Sequence, residues 1–139
     1  MSNQLSNYLK QSGYSVTAPR LVVFEYLDQN DPTTVEAVIA HAVGIDRASV
    51  YRTLALFRQL GVIQDIVASG RRMIELTDAF DTHHHHISCQ VCGVLETIED
   101  VAIEQRLDQI ARTKGFAPVR HQIEVSGICA NCQLLAQPQ

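Results

Sequence analysis

The stretch THHHHISCQVCG, residues 82–93, sets four consecutive histidines just before a Cys-x-x-Cys pair, and a second such pair, Cys129 and Cys132, lies near the end of the chain. Two thiolates at this spacing reach one ion across a tight turn, and two such turns complete the tetrahedral sulfur shell that zinc accepts. Disulfides are the competing use of four cysteines, and a reducing cytoplasm disfavours them. Cys89, Cys92, Cys129 and Cys132 are therefore expected to hold a structural zinc that pins the first turn of the C-terminal half to its end.

The histidine run divides by geometry. If residues 83–89 are extended, His83 and His85 point to one face and His84 and His86 to the other, because successive side chains alternate along a strand. Beside the first pair, His121 is the natural partner: the alternation in its own strand puts it on an apolar face, where an unpaired imidazole is costly. Glu104, at the start of a helix, can add an oxygen. Beside the second pair stand Glu75, at the end of a preceding strand, and Glu96, on the following one. Mixed imidazole and carboxylate donors suit iron(II), manganese(II), zinc or nickel. An open centre of His83, His85 and His121 would also suit a zinc-dependent hydrolase. No general base or substrate loop accompanies it, so enzymatic activity is not expected. A metal buffer without a nucleic-acid role is a further alternative, opposed by the first half of the chain.

These ligands need scaffolds, and the chain of 139 residues supplies two. Thr17 before APRLVVFEYL is a plausible helix cap with Pro19 in the first turn, and a second helix follows Thr33 or Thr34 and stops by Gly44. IDRASVYRTLALFRQLG then carries an Asp46 cap and Val50, Leu54 and Phe57 at helical spacing. Two β-branched runs around ASG, residues 68–70, read as a hairpin. Helix, turn, helix, hairpin is the order of a winged helix-turn-helix over residues 1–76, followed by a polar hinge at 77–82. Residues 83–139 read as a small α+β domain: strands on either side of QVCG, a helix with Ile103, Leu107 and Ile110 at helical spacing, and a strand over APVRHQIEVSG with Val119, His121, Ile123 and Val125 on one face.

The formal net charge of −4 hides an asymmetry. Residues 1–74 carry seven Lys/Arg against six Asp/Glu, and residues 75–139 carry four against nine. The acidic half suits cations, while the near-neutral half can present local basic groups to phosphate. Ser49, Tyr51, Arg52 and Arg58 lie mostly off the buried stripe of the second helix of the helix-turn-helix. Tyr51 and Arg52 sit where a thymine methyl and a guanine would be read in a major groove. Arg20, Arg58, Arg71 and Arg72 are available for phosphates. No apolar run approaches the roughly 18 residues of a membrane helix, and MSNQLSNYLK lacks a signal peptide's apolar centre. A cytoplasmic protein without membrane partners is expected.

Taken in order, GYSVTAPR, ASVYRTLALFRQLGVI, IELT, HHHHISCQVCG and HQIEVSGICANC resemble the ferric uptake regulator family of bacterial metal-dependent repressors, over nearly the whole chain. The resemblance implies a homodimer in which each subunit joins a winged-helix DNA-binding domain to an α+β dimerisation domain, and in which metal draws the domains into an arrangement that binds an operator in double-stranded DNA. It assigns the four cysteines to structural zinc. Glu75, His84 and His86 match ligands of a hinge sensor site, and His83, Glu104 and His121 match a second site where His85 replaces an aspartate. The regulatory metal would be iron, zinc or manganese; Glu75 is the iron-type choice at its position, and zinc, manganese and peroxide sensors are the alternatives within the family. This chain departs from the pattern at Pro32 or Thr33, where the sensor site usually takes a histidine. Thr97, next to Glu96, stands where a carboxylate is expected, and Ser15 stands in place of a lysine that some members insert into the minor groove.

Overall fold

The computed structural model describes residues 2–30, 32–118 and 120–136. They fall into two compact units, residues 1–67 with 71–82 and residues 68–70 with 83–139.

The first unit opens with α1 (Ser2–Gln11), which lies outside the elements expected from sequence. Its signal is short: Leu5 and Leu9, one helical turn apart, both fully buried. Next come α2 (Ala18–Gln29), preceded by Thr17 with Pro19 in the first turn, and α3 (Val35–His41), capped by the Thr34 hydroxyl, which accepts from the Ala37 amide. Helix α4 (Arg47–Gln59) is capped by Asp46, and the expected stripe of Val50, Leu54 and Phe57 is completely buried against Phe24 and Leu27. Each such side chain removed from water contributes about 1.5–3 kcal/mol before entropy is counted. Strands β1 (Ile63–Ala68) and β2 (Arg71–Leu76) pair as the wing. Ser69 and Gly70 between them take φ values of 51° and 75°, the left-handed pair that a tight hairpin of matching twist requires.

Residues 77–82, read from their polarity as a hinge, are packed into this unit. The Phe80 ring lies edge-on to Tyr8 and Phe24, with centroids 5.2 and 5.6 Å away, and is 5% exposed. The polar neighbours masked an aromatic anchor.

In the second unit, β3 (His85–Cys89) is the centre of a three-stranded sheet. It pairs antiparallel with β4 (Leu95–Ile98) and parallel with β5 (Glu124–Gly127), and α5 (Val101–Thr113), capped by Asp100, crosses between the flanking strands. Helix α6 (Ala130–Leu135), not anticipated, closes the described chain. The strand expected over 117–127 is shorter: Val119 lies outside the described residues, 120–123 carry no ladder, and His121 is placed by side-chain contacts with His83, His85 and Glu104 instead. Among the described residues 83–136 the buried ones are His85, His86, Ser88, Cys89 and Cys132, with no aliphatic or aromatic side chain. Helix α5 buries nothing, and its Ile103 and Ile110 remain exposed.

The anchoring of 77–82 predicts that Phe80→Ala costs about 3–5 kcal/mol in the first unit, the usual cost of emptying a buried aromatic site. Thermal unfolding followed by hydrogen exchange in α1 and α2 would show it. A change under about 1 kcal/mol would mean that the segment is not held by this ring.

Candidate metal centres and nucleic-acid interface

The first cluster forms where two turns meet. Cys89 ends β3, and the following turn closes through the Gly93 amide to the Cys89 carbonyl and the Cys89 amide to the Val94 carbonyl. Cys129 is the N-cap of α6, and Cys132 lies in that helix. The parallel pairing of β3 with β5 brings the two turns together, and the Gln90 amide donates to the Gly127 carbonyl beneath them. All four sulfurs lie within 4.8 Å of one another. Cys92 Sγ and Cys129 Sγ are 3.7 Å apart, against the roughly 3.8 Å that four zinc–sulfur bonds of about 2.3 Å impose.

The thiol chemistry agrees with that geometry. Backbone amides, among them those of Cys129 and Val91 at 3.3 and 3.4 Å from Cys89 Sγ, pull the Cys89 thiol down to about 6. Cys132, hydrogen-bonded to Cys129 and buried among the other sulfurs, is pushed up to about 12. Four thiolates do not coexist here without a cation, and one zinc is the charge that lets them. The four cysteines fit structural zinc.

The second cluster is gathered by β3, α5 and the segment before β5. His83 Nε2 and His121 Nε2 lie 3.2 and 2.6 Å from Glu104 Oε2, and His85 Nε2 lies 2.5 Å from Glu104 Oε1. The rings also approach each other, with His121 Nε2 at 3.0 Å from His83 Nε2 and 3.2 Å from His85 Nε2. Three ring nitrogens cannot share so few protons at these distances, whereas adjacent donors around one cation are separated by roughly 3–3.4 Å. Glu104 sits in the first turn of α5. Burial pushes its carboxyl up, but the hydrogen bond from His85 and the fields of His121, His83 and His85 outweigh this and leave it below the usual range. With Glu104 as fourth donor the site is closed. The open three-histidine centre of a zinc hydrolase is thereby lost.

On the opposite face of β3 the His84 and His86 rings meet edge to face, centroids 4.8 Å apart. The run therefore does split by alternation, His83 and His85 one way, His84 and His86 the other. Burial, reinforced by the charges of His84 and His85, holds the His86 imidazole below its ordinary range, so the neutral ring is favoured. A base lowered in the folded state protonates first in the unfolded one, so this burial costs stability as pH falls below about 6.5.

Glu96 does not join them. In the β3–β4 register it stands opposite Ile87, while the cross-strand neighbour of His86 is Thr97. The expectation that Glu96 serves the hinge site is corrected by one residue of register, which changes the face. Glu75 lies on β2 of the first unit, buried, and accepts from Gln64 Nε2 at 2.8 Å. Thr33, one of the two positions where the family pattern has histidine, is buried and holds an isolated bridge with Ile74 through both backbone bonds.

The face of the first unit expected to meet nucleic acid is ordered by Asp46. Its carboxylate caps α4 through the Ser49 amide at 3.0 Å and accepts from Ser49 Oγ at 2.6 Å, contacts that keep its carboxyl below the usual range. Arg52 in turn donates to Ser49 Oγ at 2.9 Å. Arg20 folds back onto the Ser15 carbonyl and lies over the Tyr14 ring, and with Thr17, Ser49, Arg52 and Thr53 it lines a cleft of about 160 Å³. Tyr51 is 45% exposed, with the Arg47 guanidinium over its ring. Arg71 and Arg72 project from the wing, exposed. Arg58, expected among the phosphate contacts, is instead clamped by both oxygens of Asp65 at 2.9 Å, bracing α4 against β1.

Comparison with known proteins agrees with this arrangement. The sequence profile of the ferric uptake regulator family matches residues 11–126. The chain is 34% identical over 140 residues to the ferric uptake regulation protein of Bordetella parapertussis, covering 96% of this chain and 98% of that one. Among solved structures it superposes on the Vibrio cholerae ferric uptake regulator, described for a rearrangement of its DNA-binding domains, with a TM-score of 0.73, 30% identity, and 89% and 98% of the two chains covered. It also superposes on the Pseudomonas aeruginosa ferric uptake regulator solved with manganese, with a TM-score of 0.74, 26% identity, and 90% and 97% covered.

For the sulfur cluster the expected outcome of Cys92→Ser is loss of zinc together with the structure of the second unit. Elemental analysis and circular dichroism check it, and a folded variant that retains one zinc per chain would contradict the assignment.

Proposed function

The chain belongs to the ferric uptake regulator family, and we propose that it is a homodimeric, metal-responsive repressor that binds operator DNA, with iron(II) as the regulatory metal and zinc or manganese as the alternatives. It is a regulator and not an enzyme. The observation that carries the reading is the union, in one chain matched by the family profile from 11 to 126, of a winged helix with Arg52 held ready at α4 and a unit built around metal donors.

Several features support its parts. Among the described residues 83–136 no aliphatic side chain is buried, and Ile87, Ile103, Ile110, Phe116 and Val125 stay exposed, which suits a surface meant for a second copy. None of the four cysteines is in a disulfide, as a reducing cytoplasm would keep them, and among the described residues no helix is long and apolar enough to cross a membrane. The Bordetella relative is named for ferric uptake regulation, which favours iron, and the set of three imidazoles and one carboxylate offers a candidate metal site besides that of the cysteines.

Glu75 is carried by the first unit, and His84 and His86 by the second. Gln64 fixes one oxygen of Glu75 in the first unit, and the buried strand fixes His86 in the second, so each of these candidate ligands is preorganised by its own element.

Two measurements check this. DNA affinity against free iron(II) or manganese(II) should lose its metal dependence in His84→Ala while the dimer persists, whereas His83→Ala should chiefly weaken the metal or stability of the second unit. Identical behaviour of the two would contradict the division of the run. On DNA, Arg52→Ala should cost about 1–3 kcal/mol and relax specificity if it reads a base, while Arg71→Ala should mainly reduce the salt dependence. Equal losses for Arg52→Ala on operator and random DNA would make it a backbone contact.

A further inference from the structure

The central position of β3 decides what can stand beside His86. Laterally paired residues of a sheet share a face, with side chains starting about 5 Å apart. On the β4 flank the partner of His86 is Thr97, a short neutral side chain. On the β5 flank it is Glu124. The only other carboxylate in the described sheet, Glu96, pairs with Ile87 and shares its face, away from His86. Glu124 is therefore the one acid of the sheet on the His84/His86 face. It is exposed and makes no side-chain hydrogen bond or ion pair among the described residues, so nothing within them competes for its oxygens.

We propose that Glu124 supplies a carboxylate ligand to the divalent cation held by His84 and His86, the acid having been placed on β5 where β4 carries Thr97. The inference rests on the reading that His84 and His86 are metal ligands, and it deepens that reading by naming a donor set. Two neutral imidazoles bring no charge to a divalent cation; Glu124 gives this face of the sheet a negative charge and a hard oxygen donor, which moves such a site towards iron(II) and manganese(II). A glutamate at this distance from the ring needs only a rotamer change to reach a shared ion, at a cost small beside a metal–oxygen bond. The same register explains why a carboxylate at position 96 would not serve: it would have to pass through the sheet.

The test is a cobalt(II) titration of the zinc-retaining dimer, followed by visible absorption, in four variants. His84→Ala defines the cobalt equivalent that belongs to this face, and Glu104→Gln defines the one that belongs to the other. Glu124→Gln is expected to weaken the His84-dependent equivalent about tenfold or more, to alter its absorption bands, and to leave the Glu104-dependent equivalent and the zinc content unchanged. Adding Thr97→Glu to Glu124→Gln should restore affinity, because it returns a carboxylate to the other flank of His86. Wild-type affinity and spectrum in Glu124→Gln would overturn the proposal, and so would a loss that Thr97→Glu fails to repair. If His84→Ala itself removes no cobalt, the reading beneath has failed and this inference falls with it.

Discussion

The second unit hangs on the meeting of two Cys-x-x-Cys turns. A domain of its length would ordinarily be held by an apolar core, yet among its described residues 83–136 the buried ones are two histidines, a serine and two cysteines. Four sulfurs spaced for a tetrahedral ion replace that core, and they join the end of β3 to the start of α6 across nearly the whole unit. Everything else there follows from the clamp. It fixes β5 beside β3, and the β5 register in turn fixes which residues flank the histidines.

From that register comes the separation of two kinds of metal chemistry along one short run. A strand has period two, so four adjacent imidazoles become two pairs on opposite faces without any intervening residue. One pair closes with His121 and Glu104 into a compact set with donors already at coordination distance. The other lies on the opposite face, with His86 buried and its imidazole held below the ordinary range, and with a flank that differs on each side: threonine on β4 and glutamate on β5.

How much of this was legible in the residues depends on the range of the interaction. The α2 and α4 helices, the wing, and the buried stripe of Val50, Leu54 and Phe57 could be read because caps and periodicity are local signals. The cysteine cluster and the splitting of the histidines were legible for the same reason: spacing and alternation are properties of one segment. Helix α1 escaped because Leu5 and Leu9 give only one turn of pattern within a polar stretch, and the packing of 77–82 escaped because a single Phe80 sits among polar neighbours. Glu96 was misplaced by strand register, which is set between segments. The ion pair of Arg58 could not be read because its partner, Asp65, lies on the next element rather than on its own helix. The importance of Glu124 could not be read at all, since it depends on β5 adding in parallel to β3, a pairing that the zinc clamp imposes from outside both strands.

The central claim, that sulfur-bound zinc stands in for the missing core, is tested most directly by amide hydrogen exchange before and after zinc is extracted with a strong chelator under reducing conditions. The account predicts that protection collapses together across β3, β4 and β5, while α2 and α4 keep the protection given by their own apolar core. Sheet protection that survives complete loss of zinc would contradict it, as would a loss that spreads equally through both units.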